Sequence, residues 1–113
     1  MHKENARVYL RPLTMSDANE AYVSWLNDPQ VTFFLDTHHT TLDELKRYVE
    51  EKTNKEDCRF LGVFETKSDA LVGTAKFEPI DWQTGVAEFG FMIGDKRVWG
   101  HGIGVEAVHA ALS

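Results

Sequence analysis

The sequence predicts a layered α/β domain, with an antiparallel β-meander at its centre and helices packed on it. Three apolar stretches with strand patterning, 59–65, 71–77 and 86–93, follow one another with only short polar turns between them. Loops of that length favour antiparallel neighbours. Two stretches ahead of them carry apolar residues at helical spacing. A glycine-dense segment then leads from the last strand into a third helical stretch. The 113 residues suffice for one modest core, so residues 1–113 are expected to form a single domain.

Each element has its own local reason. Arg7-Val8-Tyr9-Leu10-Arg11 alternates and is closed by Pro12, which reads as a short strand. Thr14 and Asp17 have the spacing of a capping box, and Ala18, Ala21, Tyr22, Trp25 and Leu26 then mark one helical face. Asn27-Asp28-Pro29 is expected to stop that helix, with Asn27 in the left-handed cap geometry. A short apolar patch with Phe33-Phe34 follows, and then the polar run that holds His38-His39. Thr41 and Glu44 form a second capping box ahead of Leu42, Leu45, Tyr48 and Val49. Gly90 is expected to mark a bulge in the last strand. In the final helix Gly104, Ala107, Val108, Ala111 and Leu112 share a face. No Gly, Asn or Pro closes it before Ser113, so a C-terminal truncation is expected.

Composition narrows the function classes. The net charge of −6 gives nucleic-acid binding no electrostatic footprint, and it suits a cationic acceptor such as an amine. Cys58 is the only cysteine, which rules out an intrachain disulfide and favours a reducing, cytoplasmic setting. No apolar run approaches the roughly 20 residues that span a bilayer, and Met1-His2-Lys3-Glu4-Asn5 does not begin a signal peptide, so no membrane partner is expected.

The informative stretch is the one from Glu88 to Ala107. Gly100, Gly102 and Gly104 remove side chains at alternate positions, where a ligand can approach the backbone closely. N–H groups at a helix start lack intrahelical partners, and the helix dipole adds positive potential there. Such a surface binds phosphate or diphosphate without lysines. A Walker A loop is excluded, because no Lys-Ser or Lys-Thr follows the glycines. Gly102-Ile103-Gly104-Val105-Glu106-Ala107 satisfies the dinucleotide pattern G-x-G-x-x-A, but that pattern belongs to a parallel βαβ unit.

A third reading rests on resemblance. The run from Ala87 to Ala107 resembles the acyl-CoA-binding segment of the GNAT superfamily of N-acetyltransferases, whose loop reads Gln/Arg-x-x-Gly-x-Gly/Ala. Trp99-Gly100-His101-Gly102-Ile103-Gly104 fits it, with Trp in the first position. The Trp-Gly-x-Gly variant, the first strand and Trp25-Leu26-Asn27-Asp28-Pro29 resemble the branch with the ribosomal-protein alanine acetyltransferases and bacterial amine and amino-sugar acetyltransferases. The element order, strand–helix–helix–three strands–loop–helix, is similar too, and the family's further strands and helix are expected to be missing here.

The resemblance implies acetyl-CoA as co-substrate, a primary amine as acceptor and no metal. Backbone N–H groups of Val98, Trp99, Gly100, His101, Gly102, Ile103, Gly104 and Val105 would cradle the diphosphate. The main chain of Phe91, Met92 and Ile93 would pair with the pantetheine arm. Lys96 and Arg97 would add charge near the phosphates, or simply stand in a solvated turn. Glu88 is the one ionisable side chain of its strand, flanked by Ala87, Phe89 and Phe91, and desolvation there would suit a general base. Strict alternation equally allows its face to be wet. The family's thiolate-protonating tyrosine is expected beyond residue 113; Tyr9, Tyr22 and Tyr48 read as core or surface residues. His38-His39 lacks a third metal ligand at recognisable spacing. Trp99 reads first as an apolar anchor and second as a ring lying along the coenzyme. Two other readings stand beside the enzyme: a non-catalytic acyl-CoA or nucleotide-binding module, and a fragment completed by a partner chain at an exposed sheet edge, with a homodimer also open.

Overall fold

A computed structural model of the chain describes residues 6–31 and 40–112; Phe33-Phe34 and His38-His39 lie outside them. The elements are β1 (Val8–Pro12), α1 (Glu20–Leu26), α2 (Leu42–Thr53), β2 (Arg59–Glu65), β3 (Leu71–Asp81), β4 (Val86–Ile93) and α3 (Ile103–Leu112). The four strands form one antiparallel sheet in the order β1-β2-β3-β4, as the short connections require.

Alternation along the strands gives the sheet two apolar faces. Leu13, Tyr22, Trp25, Leu45, Val49, Phe60 and Met92 cluster where α1 and α2 cover one face. Val8, Val63, Val72, Ile103 and Ala107 cluster under α3 on the other. Helices on both sides of one sheet make a three-layer α/β arrangement, the predicted class.

Three local expectations are corrected. Thr14 and Asp17 do not open the first helix. The Asp17 carboxylate accepts from the Thr14 N–H at 2.8 Å and from Arg11 at 2.9 Å, which closes a single 3₁₀ turn over Met15–Asp17. Ala18 then returns to extended backbone, and Asn19 caps α1 by accepting from the Tyr22 N–H at 2.9 Å. Asn27 is not left-handed: its φ is −96°. Its side-chain amide pairs with the Thr40 backbone instead, accepting from the N–H at 2.7 Å and donating to the carbonyl at 3.0 Å.

The bulge lies across from its expected place. Gly90 is in register with Lys76, while Phe77 pairs with Phe89 and Ile80 with Ala87. Glu78 and Pro79 therefore stand together opposite Glu88. Pro79 has no N–H to give the ladder, so the extra residue falls where a bond is missing anyway. The Thr41–Glu44 box caps α2 as read, with both reciprocal bonds made.

Beyond β4 the chain is held by close contact. Gly94 lies against Trp25 so tightly that a Cβ there would overlap the indole. Lys96 reaches Asp28 at 2.6 Å, which ties the turn after β4 to the end of α1. On the same face, Glu78 is held by Lys52 at 2.8 Å and Lys55 at 2.5 Å.

Those bonds, from Lys52 first and then Lys55, bring the Glu78 carboxyl from its ordinary 4.5 down to about 2. A depressed carboxyl adds stability above its unfolded-state pKa and loses it as pH falls through the folded one. Glu78→Gln is therefore expected to cost about 1–3 kcal/mol at pH 7. In urea titrations that deficit should shrink as pH is lowered from 4.5 towards 2. A pH-independent deficit would assign the loss to packing rather than charge.

Candidate functional site

The site is the ground between the free edge of β4 and the start of α3. Gly94 donates to the Val72 carbonyl at 2.9 Å, and Met92 is in register with Thr74. A Cβ on Gly73 would collide with the Met92 carbonyl oxygen. Met92 and Gly94 thus spend their peptide groups on β3. Alternation turns those of Phe91 and Ile93 to the opposite side, where the described residues place no further strand. Of the three residues expected to offer main chain to an extended ligand, Phe91 and Ile93 have outward peptide groups, whereas Met92 turns its own to β3 and buries its side chain.

The turn after β4 is closed by its own side chains. Asp95 accepts from the Arg97 N–H at 3.0 Å and binds the Arg97 guanidinium at 2.6 Å. The guanidinium holds the Asp95 carboxyl below its ordinary range even though partial burial opposes this. Arg97 is otherwise exposed, so its charge is already partnered. The Val98 N–H donates to Asp95 and that of Trp99 to Lys96, at 3.2 and 3.1 Å. The indole N–H of Trp99 also reaches back to the Ile93 carbonyl, at 2.8 Å.

From that point the N–H groups have no acceptor. Among the described residues, none takes a hydrogen bond from the backbone N–H of Gly100, His101, Gly102, Ile103, Gly104 or Val105; the next N–H, of Glu106, donates to Gly102 at 3.1 Å. Gly100 and Gly102 have φ of 80° and 79°, the left-handed region that an L side chain rarely enters. Ile103 is buried and anchors the helix start, whereas His101 and Val105 are exposed.

One carboxylate stands in this first helical turn, and it faces away from the bare amides. Glu106 accepts from the Arg7 N–H (2.7 Å), the Arg7 guanidinium (2.9 Å) and the Val8 N–H (3.1 Å). Burial alone would raise its pKa, but these donors outweigh that and leave it lowered. Arg7 also donates to the His101 carbonyl at 2.6 Å. The clasp joins the first strand to the loop across 99 positions of sequence, which no local pattern could disclose. Beside it opens a cavity of about 580 Å³ whose lining includes Arg7, Lys67, Arg97 and His101.

On the other face of β4, Glu88 is exposed, so the flanking aromatics do not bury it. By alternation it shares that face with Gly90 and Met92, while Phe89 and Phe91 stack on the face opposite, centroids 6.2 Å apart. A side chain at Gly90 would meet nothing within 4 Å, so open space lies next to Glu88. The tyrosine hydroxyls are already engaged: Tyr9 donates to Asp69, Tyr48 accepts from Lys76, and Tyr22 bonds Thr74 in a setting whose burial raises its pKa. Among the described residues, no group of three or more His, Cys, Asp or Glu is placed to hold a metal ion.

Comparisons with known proteins bear on the family and the fold. The family model described as acetyltransferase (GNAT) domain matches residues 7–113. A Bacillus licheniformis protein named uncharacterized N-acetyltransferase p20 is 27% identical over 110 residues, which are 94% of this chain and 61% of that protein. The spermidine N-acetyltransferase of Vibrio cholerae, solved with CoA and spermine, superposes with a TM-score of 0.81 at 20% identity, over 96% of this chain and 63% of that one. A Salmonella typhimurium acetyltransferase that modifies the N-terminal serine of ribosomal protein L7/L12 superposes at 0.78 with 19% identity, over 95% and 62%. The chain thus spans about three fifths of the length of these relatives.

Two glycines in the loop are expected to respond in opposite ways. A Cβ on Gly104 would rest at 3.6 Å from the Phe91 ring, an ordinary contact inside a helix. Gly104→Ala should therefore raise stability by about 0.5 kcal/mol. Gly102→Ala should lower it by about 1 kcal/mol or more, because of its positive φ. Thermal melts of the two variants would distinguish conformational need from bare space; equal shifts would contradict the assignment.

Proposed function

The chain belongs to the GNAT acetyltransferase family, and from that premise we propose that it transfers the acetyl group of acetyl-CoA to a primary amine. The observation that carries this reading is the row of six unpaired N–H groups at residues 100–105, next to the outward edge of β4. Six donors with no acceptor among the described residues match a diphosphate, and an open strand edge matches an amide-containing arm laid alongside it. In the neighbouring cavity Lys67 is the side chain that suits the remaining phosphate of the coenzyme, since Arg7 and Arg97 are already paired with Glu106 and Asp95.

Acetyl transfer needs a neutral amine, a stabilised oxyanion and a protonated leaving thiolate. Glu88 is the proposed base, acting directly or through water, with the open space at Gly90 receiving the acceptor. A main-chain N–H of the β4 edge is the proposed oxyanion donor. The acceptor is a protein α-amine, as in the Salmonella relative, a small amine, as in the Vibrio relative, or an amino sugar. The branch of the ribosomal-protein acetyltransferases is the proposed placement, and the cytoplasm the proposed location. A non-catalytic acyl-CoA-binding module is the second reading. It is favoured by the tyrosine hydroxyls, each already engaged: Tyr9 with Asp69, Tyr22 with Thr74 and Tyr48 with Lys76.

Calorimetry with acetyl-CoA tests the binding claim, and Gly104→Ala should weaken binding severalfold despite its gain in stability. Thiol release with a panel of amines separates enzyme from module: binding without release supports the module. Glu88→Gln is expected to lower turnover at neutral pH by about 10²-fold with little change in coenzyme affinity. Unaltered turnover removes Glu88 from the mechanism.

A further inference from the structure

We propose that Trp99 is a positioning residue that sets the spacing between the two halves of the coenzyme site, an inference that rests on the acyl-CoA reading above. The two halves are different in kind. One is the outward main chain of Phe91 and Ile93 on β4; the other is the row of free amides at residues 100–105. Five residues of turn, Gly94 to Val98, separate Ile93 from Trp99, and such a connection would ordinarily leave the halves loosely coupled.

Trp99 closes that gap with both its backbone and its side chain. Its own N–H donates to Lys96 at 3.1 Å, and its indole Nε1 donates to the Ile93 carbonyl at 2.8 Å. The next residue, Gly100, begins the unpaired amides. Trp99 is 40% exposed, so its ring is held by the Nε1 bond as well as by partial burial. What the ring does accomplish is a fixed link from the last outward carbonyl of the strand to the first residue of the amide row. The Ile93 carbonyl is also thereby satisfied, so an arm laid on this edge pairs with Phe91 and with the Ile93 N–H.

The chemistry of such a link is the chemistry of a two-point ligand. When one molecule must bind both halves, the second contact forms at an effective concentration set by how well the spacing is held. Loosening the spacing weakens the whole ligand and leaves each half-ligand as it was. A residue needed only to fold the amide row would weaken the diphosphate fragment equally.

The test is calorimetry or competition with three probes on the full chain: acetyl-CoA, ADP and S-acetylpantetheine. Trp99→Phe keeps a ring and removes the donor. The expected result is a loss of about tenfold for acetyl-CoA, with ADP and S-acetylpantetheine within about twofold of the native chain. Trp99→His, with a ring N–H on a shorter reach, is expected to recover part of the loss, and it serves equally should the Phe variant fold poorly. Unchanged acetyl-CoA affinity overturns the proposal, as does a loss for ADP as large as that for acetyl-CoA. Should the native chain bind neither ADP nor acetyl-CoA, the coenzyme reading itself falls, a result distinct from both.

Discussion

A backbone N–H that finds no acceptor in its own protein costs stability unless water or a ligand takes the bond. Six such groups follow one another here among the described residues, four of them the open donors of a helix start, and the surroundings keep them facing outward. Gly100 and Gly102 adopt the left-handed region, Ile103 pins the helix start to the core, and Arg7 grips the His101 carbonyl. Glu106, the carboxylate of the first helical turn, is drawn off to β1 by the Arg7 guanidinium and the backbone N–H groups of Arg7 and Val8.

The sheet sets this segment in place from both faces. Trp25 comes through from the α1 side and presses on Gly94, while Ile103 and Ala107 press on Val8, Val63 and Val72 from the α3 side. The bulge at Glu78 and Pro79 disturbs β3 only opposite Glu88, so pairing from Gly90 to Ile93 stays in register. That regular stretch is the one whose outer edge is offered. An irregular edge would present its peptide groups at uneven spacing, and an extended ligand could not pair along it.

What the sequence discloses follows from the range of each interaction. The Thr41–Glu44 box, the helical stripe of α2 and the strand alternation are local, and each stands where its pattern puts it. Thr14 and Asp17 mislead because the same carboxylate also answers Arg11, so the box closes a single turn. Asn27 misleads because its partner is Thr40, 13 residues away, which competes with the local cap geometry. The bulge is a property of a strand pair, and Gly90 alone cannot place it. Glu106 and Arg7 are 99 positions apart and carry no shared signal, although their clasp shapes the loop that the glycines announce. The exposure of Glu88 was equally open, since alternation names a face and not what covers it.

Recognition by main chain has a consequence for how acceptor preference is divided from coenzyme binding. Peptide groups at residues 100–105 and on the β4 edge do not change when side chains are exchanged, provided φ at the two glycines and the packing at Gly94 are respected. Acceptor choice on the proposed reading then falls to side chains on the opposite face: Glu88, the space over Gly90, and the Glu78 cluster with Lys52, Lys55 and Lys76 beside Tyr48. These groups are charged and partly exposed, and none of them supports the segment after β4. On that reading the two recognition tasks would be carried by different chemical groups, one set on the edge of β4 and the other on one of its faces.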